Sequence, residues 1–220
     1  KDGLPLLKMM KESQRLLENH PVNLKRKEKG LRPANSIWIW GEGKKPALDP
    51  FKDKYGLSGA VISAVDLIKG LGILAGMDSI DVKGATGNID TNYLGKAQAA
   101  LDALSQDKDF VFVHIEAPDE CGHRYEIDNK VKSIELIDEL VVASLIKGLE
   151  VYEDYKILVL PDHPTPLSLR THTRDPVPYI LYQKSRAKKG SSMTYNEKNA
   201  QDTGIFIGSG PDLMAKFTKA

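Results

Sequence analysis

One cysteine, Cys121, in 220 residues excludes an intrachain disulfide and suits a reducing cytoplasm. No stretch approaches the roughly 20 apolar residues of a membrane-spanning helix, and the charged first residues lack the apolar core of a signal peptide. Charge of one sign is missing too: 31 basic residues face 30 acidic ones. Bulk charge therefore gives no reason to expect nucleic acid or an anionic membrane as partner. Aromatic residues are sparse at 7%, and no internal repeat or low-complexity tract is present. What remains is 41% apolar and 28% charged, the balance of a globular chain long enough to bury a sizeable core. Basic residues do cluster in "NLKRKEKGLR" (23–32) and "KSRAKKG" (184–190), and both read as solvated faces.

Periodicity divides the chain. "GLPLLKMMKESQRLLENH" (3–20) is spaced as an amphipathic helix that "HPVN" ends, with His20 at its terminus complementing the helix dipole. "NSIWIWGEG" (35–43) predicts a short buried strand and a glycine turn. The segment "PALDPFKDKYG" (46–56) is a connection, with a domain boundary near residue 48. Strand and helix signals then alternate. Strands are predicted at 59–63, 109–116, 155–162 and 177–182, and helices at 64–76, 91–105 and 129–150. That alternation predicts an α/β fold, a mainly parallel sheet sandwiched by helices, with ligands gathering at the carboxyl ends of the strands.

Two of those strands run into chemistry-bearing residues. "DFVFVHIE" is followed by "APDECGH", which sets Asp119 and His123 at an i, i+4 spacing on one helical face. "YKILVL" is followed by "PDH", giving Asp162 and His163, with His172 nine residues further on. Carboxylate and imidazole together suit Zn or Mn, and less readily Mg. Each pair also has an ordinary reading, since Asp-x-x-x-His occurs by chance and Asp-His after a strand serves as a turn or helix cap. The conjunction of both pairs at strand ends of one predicted sheet supports a one- or two-metal hydrolytic or phosphoryl-transfer site. His114 reads as a core histidine and Cys121 as a bystander. "GATGNIDTNY" (84–93) lacks the phosphate-loop pattern. Lys69, Lys44 and Lys45 follow predicted strands and could approach an anion, though surface lysine is the simpler account.

Five blocks, "HPVNLKRKEKGLRPANSIWIWGEG", "GLSGAVISAVDLIKGLGILAGM", "GATGNIDTNY", "APDECGH" and "LPDHPTPLSLRTHTRDPVPYILY", closely resemble the archaeal-type, cofactor-independent phosphoglycerate mutases. That group belongs to the alkaline phosphatase superfamily and includes bacterial members proposed to be homoserine kinases. The resemblance runs from near residue 5 to the C-terminus. It implies an incomplete alkaline phosphatase-like core at 48–220 and, at 1–47, the tail of an inserted substrate-capping α/β domain. By motif, Asp119, His123 and His172 would hold one divalent ion, and Asp162 and His163 part of a second. Mn, Zn, Co or Mg would serve, without bisphosphoglycerate as cofactor. Lys69 and Lys44 are candidate contacts to the phosphoglycerate substrate.

The family's nucleophilic serine and a further aspartate come from an N-terminal part that no position here matches; Ser63 and Ser168 lack the nucleophile's motif. The chain therefore looks like the C-terminal portion of a cytoplasmic glycolytic enzyme, inactive by itself. Homoserine kinase, metal-dependent phosphatase or phosphonate hydrolase, and a metal-stabilised interaction domain are the rivals. Oligomeric state is left open.

Overall fold

The computed structural model describes residues 3–41, 43–187 and 193–219. The chain forms two compact units, residues 1–46 and 47–220. In the first, helix α1 (Leu4–Glu18) is followed by α2 (Pro21–Glu28). His20 is the N-cap of α2 rather than a terminal residue of α1, its Nδ1 accepting from the Val22 amide at 3.3 Å. Pro21, which cannot continue α1, is well placed at the first position of α2, where its missing N–H costs nothing. The basic run at 23–32 thus lies largely on a helix that periodicity did not reveal.

The strand expected at 35–43 does not form among the described residues, which exclude position 42. Trp38 and Trp40 are 78% and 79% exposed, the reverse of a buried strand. A strand needs a ladder partner, and the described part of this unit contains none. Side chains of the helices hold the segment instead. The Asn23 side-chain amide donates to the carbonyls of Leu17 (2.7 Å) and Ala34 (2.6 Å), and its Oδ1 accepts from the Ala34 amide (2.9 Å). Ser13 Oγ accepts from the Ile37 amide at 2.9 Å. Both residues are buried, as polar groups with satisfied bonds can be.

The second unit is α/β. After α3 (Phe51–Tyr55), strand β1 (Gly59–Ile62) enters a parallel three-stranded sheet of order β2-β1-β3, with β2 at Asp78–Ile80 and β3 at Phe110–Val113. Ala60, Val61 and Ile62 are almost wholly inaccessible, as expected of a central parallel strand covered on its faces. Helices α4 (Asp66–Leu74) and α5 (Tyr93–Ser105) flank the sheet, and α4 stops before Gly76, which adopts φ +71°. Ala97, Ala100 and Ala103 are buried on α5, and their small side chains admit close neighbours.

The long helix expected at 129–150 is present but interrupted. Helix α7 (Ile127–Leu136) passes through a π-helical turn (Ile137–Val142) into α8 (Ala143–Leu149). Val141 of that turn joins Tyr93, Ala97 and Ala117 in the core cluster. A second correction concerns the sheet. Strands β4 (Lys156–Val159) and β5 (Ile180–Gln183) pair antiparallel to each other, as a separate two-stranded sheet among the described residues. The loops after β3 and β4 therefore do not leave one continuous ladder, although an apolar run looks the same in either setting. Helices α6 (Ala117–Arg124), α9 (Glu197–Asp202) and α10 (Gly210–Thr218) complete the unit. The end of the basic run at 184–190 lies outside the described residues.

Candidate metal centre

Helix α6 begins four residues after β3 and carries Asp119 and His123 one turn apart, with Asp119 Oδ2 3.4 Å from His123 Nε2. The loop after β4 brings His172 against them: its Nε2 lies 3.3 Å from Asp119 Oδ1 and 3.0 Å from His123 Nε2. His163 stacks on His172 with ring centroids 3.8 Å apart, and Asp119, His163 and His172 offer ligand atoms within 4.8 Å of one another. Asp162 stands beside this group, its Oδ2 3.4 Å from His163 Nε2. Asp119, His123 and His172 are thus in mutual contact, His163 stacks on His172, and Asp162 adjoins His163.

The loop that carries the two histidines is built to hold a shape. The Thr173 amide donates to the Pro164 carbonyl at 3.1 Å, and the amides of Leu169 and Arg170 both donate to Pro166 at 3.1 and 2.9 Å. Arg170 adopts φ +54°, a left-handed conformation disfavoured for a residue with a Cβ. Its carbonyl accepts a bond from His123 Nδ1 at 2.9 Å. A carbonyl only accepts, so Nδ1 carries the ring proton and Nε2 keeps its lone pair for the cluster. That is the usual arrangement behind a metal-bound imidazole. The Arg170 guanidinium lies over the ring of Tyr125, 4.6 Å from its centroid, and Tyr125 itself ends α6 at φ +60°.

A tetrahedral ion with bonds of about 2.0–2.1 Å sets its ligand atoms roughly 3.3 Å apart. The spacings of 3.0, 3.3 and 3.4 Å around Asp119, His123 and His172 match that value. The donor set fits a divalent ion.

Two residues that sequence reasoning passed over sit beneath the cluster. Thr165 is buried, and its hydroxyl donates to Asp119 Oδ1. Lys130 holds the Thr165 carbonyl through Nζ at 2.8 Å, and burial lowers its pKa. Burial, reinforced by Glu120 and Asp119, pushes the Glu116 carboxyl up. His114 is partly buried against Ser63 Oγ at 3.1 Å, and burial lowers its pKa. Cys121 is fully buried in α6 and belongs to neither candidate ligand group. Lys69 is engaged by Asp81 at 2.6 Å, while Lys44 lies in the other unit, in a segment that is not a strand.

Parallel strands flanked by helices, with carboxylate and imidazole donors brought together from helix α6 and from the loop after β4, define a divalent-metal-dependent α/β protein. The chain belongs to the Metalloenzyme superfamily, whose family model matches residues 5–217. It is 48% identical over its whole length to a 2,3-bisphosphoglycerate-independent phosphoglycerate mutase of Methanosarcina barkeri, covering 55% of that protein. The corresponding enzyme of Methanothrix thermoacetophila is 50% identical across 97% of the chain and 54% of its own length. A solved structure of a Pyrococcus horikoshii protein superposes with a TM-score of 0.77 at 30% identity, covering 92% of this chain and 52% of its own. The cofactor-independent phosphoglycerate mutase of Thermoplasma acidophilum gives 0.55 at 26% identity, over 96% and 50%. The chain spans about half the length of the relatives it matches.

Proposed function

We propose that this chain is the metal-bearing C-terminal portion of a cofactor-independent phosphoglycerate mutase, which interconverts 3- and 2-phosphoglycerate in glycolysis through a phosphoserine. The observation that carries this is the convergence of Asp119, His123 and His172 in a chain whose relatives bear that enzyme's name. Residues 1–47 would belong to the substrate-capping domain and 48–220 to the core. Asp119, His123 and His172 would hold one divalent ion, and Asp162 and His163 would contribute to a second. Manganese is one candidate, and the cytoplasm the compartment.

Bound divalent ions supply charge neutralisation and alignment for phosphoryl transfer. The chain's own residues do the rest of the work assigned here. The Arg170 carbonyl keeps the proton of His123 on Nδ1, and the closed Pro164–Thr173 loop fixes His172. Lys69 is a candidate substrate contact only if it exchanges Asp81 for phosphate. A capped site that excludes water would favour return of phosphate to glycerate over its loss to hydrolysis. The nucleophile is expected outside this chain.

The test is 31P NMR of 3-phosphoglycerate incubated with the full-length protein and Mn2+, with no bisphosphoglycerate added. Appearance of 2-phosphoglycerate, abolished by His172→Ala, supports the proposal. Release of inorganic phosphate without isomerisation would instead make the protein a phosphatase, and ATP-dependent phosphorylation of homoserine a kinase.

A further inference from the structure

Thr165 touches both candidate ligand sets. It is 5% exposed, and its Oγ1 donates to Asp119 Oδ1 while lying 3.3 Å from His163 Nδ1. A threonine hydroxyl has one proton. With that proton committed to the carboxylate, which only accepts, Oγ1 can meet His163 Nδ1 only as an acceptor. Nδ1 must then carry the imidazole proton, which leaves the lone pair on Nε2, the atom that faces Asp162 at 3.4 Å. We infer that Thr165 is a positioning residue that orients Asp119 of one ligand set and fixes the tautomer of His163 in the other.

The surroundings hold Thr165 in place from a third side. Lys130 Nζ donates to its carbonyl at 2.8 Å. Gly122, three residues after Asp119 on α6, allows the approach: a Cβ there would stand 2.6 Å from the Thr165 carbonyl oxygen and 2.9 Å from Thr165 Cγ2. The threonine methyl is thus packed against the helix while its hydroxyl faces the ligands. The Nδ1 atoms of His123 and His163 each lie against an oxygen, the Arg170 carbonyl at 2.9 Å and Thr165 Oγ1 at 3.3 Å. This inference rests on the metal-centre reading, and the orientation of a ligand by its outer hydrogen bond commonly matters 10- to 100-fold in metal affinity.

The experiment is calorimetric titration of the full-length protein with Zn2+, for the parent, Thr165→Val, Thr165→Ser and His172→Ala, with 15N NMR of the histidine rings of the metal-free parent. Valine keeps the shape and removes the hydroxyl; serine keeps the hydroxyl. Thr165→Val is expected to weaken Zn2+ binding about 10- to 100-fold, and Thr165→Ser to stay within about threefold of the parent. The NMR spectrum is expected to show His163 protonated on Nδ1. Valine binding as the parent does, serine binding as weakly as valine, or a His163 proton on Nε2 would each overturn the role of Thr165. Undiminished binding by His172→Ala would instead defeat the metal-centre reading, while the NMR result would still decide the tautomer.

Discussion

The Nε2 atoms of His123 and His172 lie 3.0 Å apart across 49 positions of sequence, each also within 3.4 Å of an Asp119 oxygen. Two imidazole nitrogens and a carboxylate turned toward one another at these distances would all serve as donors to a single divalent ion placed among them. Saturating Zn2+ or Mn2+ should therefore raise the melting temperature of the chain, by the equivalent of about 2.7 kcal/mol at a hundredfold excess over Kd. EDTA should reverse the rise. Alanine at His123 or His172 should weaken binding at least about tenfold and remove most of the shift. Thermal melts with and without metal check both expectations, and an unchanged shift in the alanine variants would sink the assignment.

Lys96 gives a prediction whose sign follows from linkage. It is fully buried, donates to the His114 carbonyl at 3.1 Å, and burial lowers its pKa to about 8, with Glu116 partly opposing. The unfolded chain, with a lysine near the reference value of about 10.4, holds that proton more tightly. Below pH 8 both states are protonated and folding carries the full cost of burying charge, on the order of 3 kcal/mol. Between pH 8 and about 10.4 the folded state releases the proton first, so this cost fades as pH rises. Lys96→Met keeps the aliphatic stem and loses the ammonium along with one hydrogen bond. It should stabilise the chain by about 1–2 kcal/mol at pH 7, an advantage that vanishes by pH 10. Urea midpoints at the two pH values, compared with the parent's, decide the matter.

Gly72 marks where α4 lies tight on the sheet. A Cβ there would meet Val61 Cγ1 at 2.4 Å and Val61 Cβ at 3.0 Å. Val61 is a stiff β-branched residue in the central strand, so it cannot swing away. Gly72→Ala should cost about 1–3 kcal/mol despite alanine's better helix propensity. Adding Val61→Ala should recover part of the loss. Purely additive losses in a double-mutant cycle by urea denaturation would show that the two residues do not collide.

Gly122→Ala tests the other close approach. Its new methyl would oppose a backbone carbonyl, that of Thr165, and the helix bearing Asp119 and His123 would have to move off the loop bearing His163 and His172. Zn2+ affinity should fall about tenfold or more, with a loss of stability of about 1–3 kcal/mol. Parent-like affinity in the presence of a stability loss would show that the helix and loop are not coupled through this contact.

The strands around β1 and β3 were legible in the sequence because β-branched and aromatic runs bounded by turn residues leave little choice. "SIWIW" has the same composition, yet it becomes an exposed segment pinned by Ser13, with Asn23 anchoring Ala34 just before it. Nothing local to the run distinguishes a ladder from side-chain anchors contributed by two earlier helices. The same blindness merged β4 and β5 into the parallel sheet, since partner and direction are long-range choices. Within the site, the i, i+4 spacing of Asp119 and His123 could be read directly. Thr165 and the Arg170 carbonyl could not, because a loop threonine and a backbone oxygen carry no signature until the fold brings them beneath their histidines.

The ring closed by the Thr173–Pro164 bond separates two tasks within one short loop. His163 and His172 stand at its neck, whereas Leu169, 59% exposed, rides at the far side. The exposed side chains of the outer arc, Ser168 and Leu169, can therefore be exchanged with little displacement of the neck. Such a device lets selection retune what approaches the centre while the ligands stay in register, and it offers an engineer a place to graft a reporter or a new recognition element.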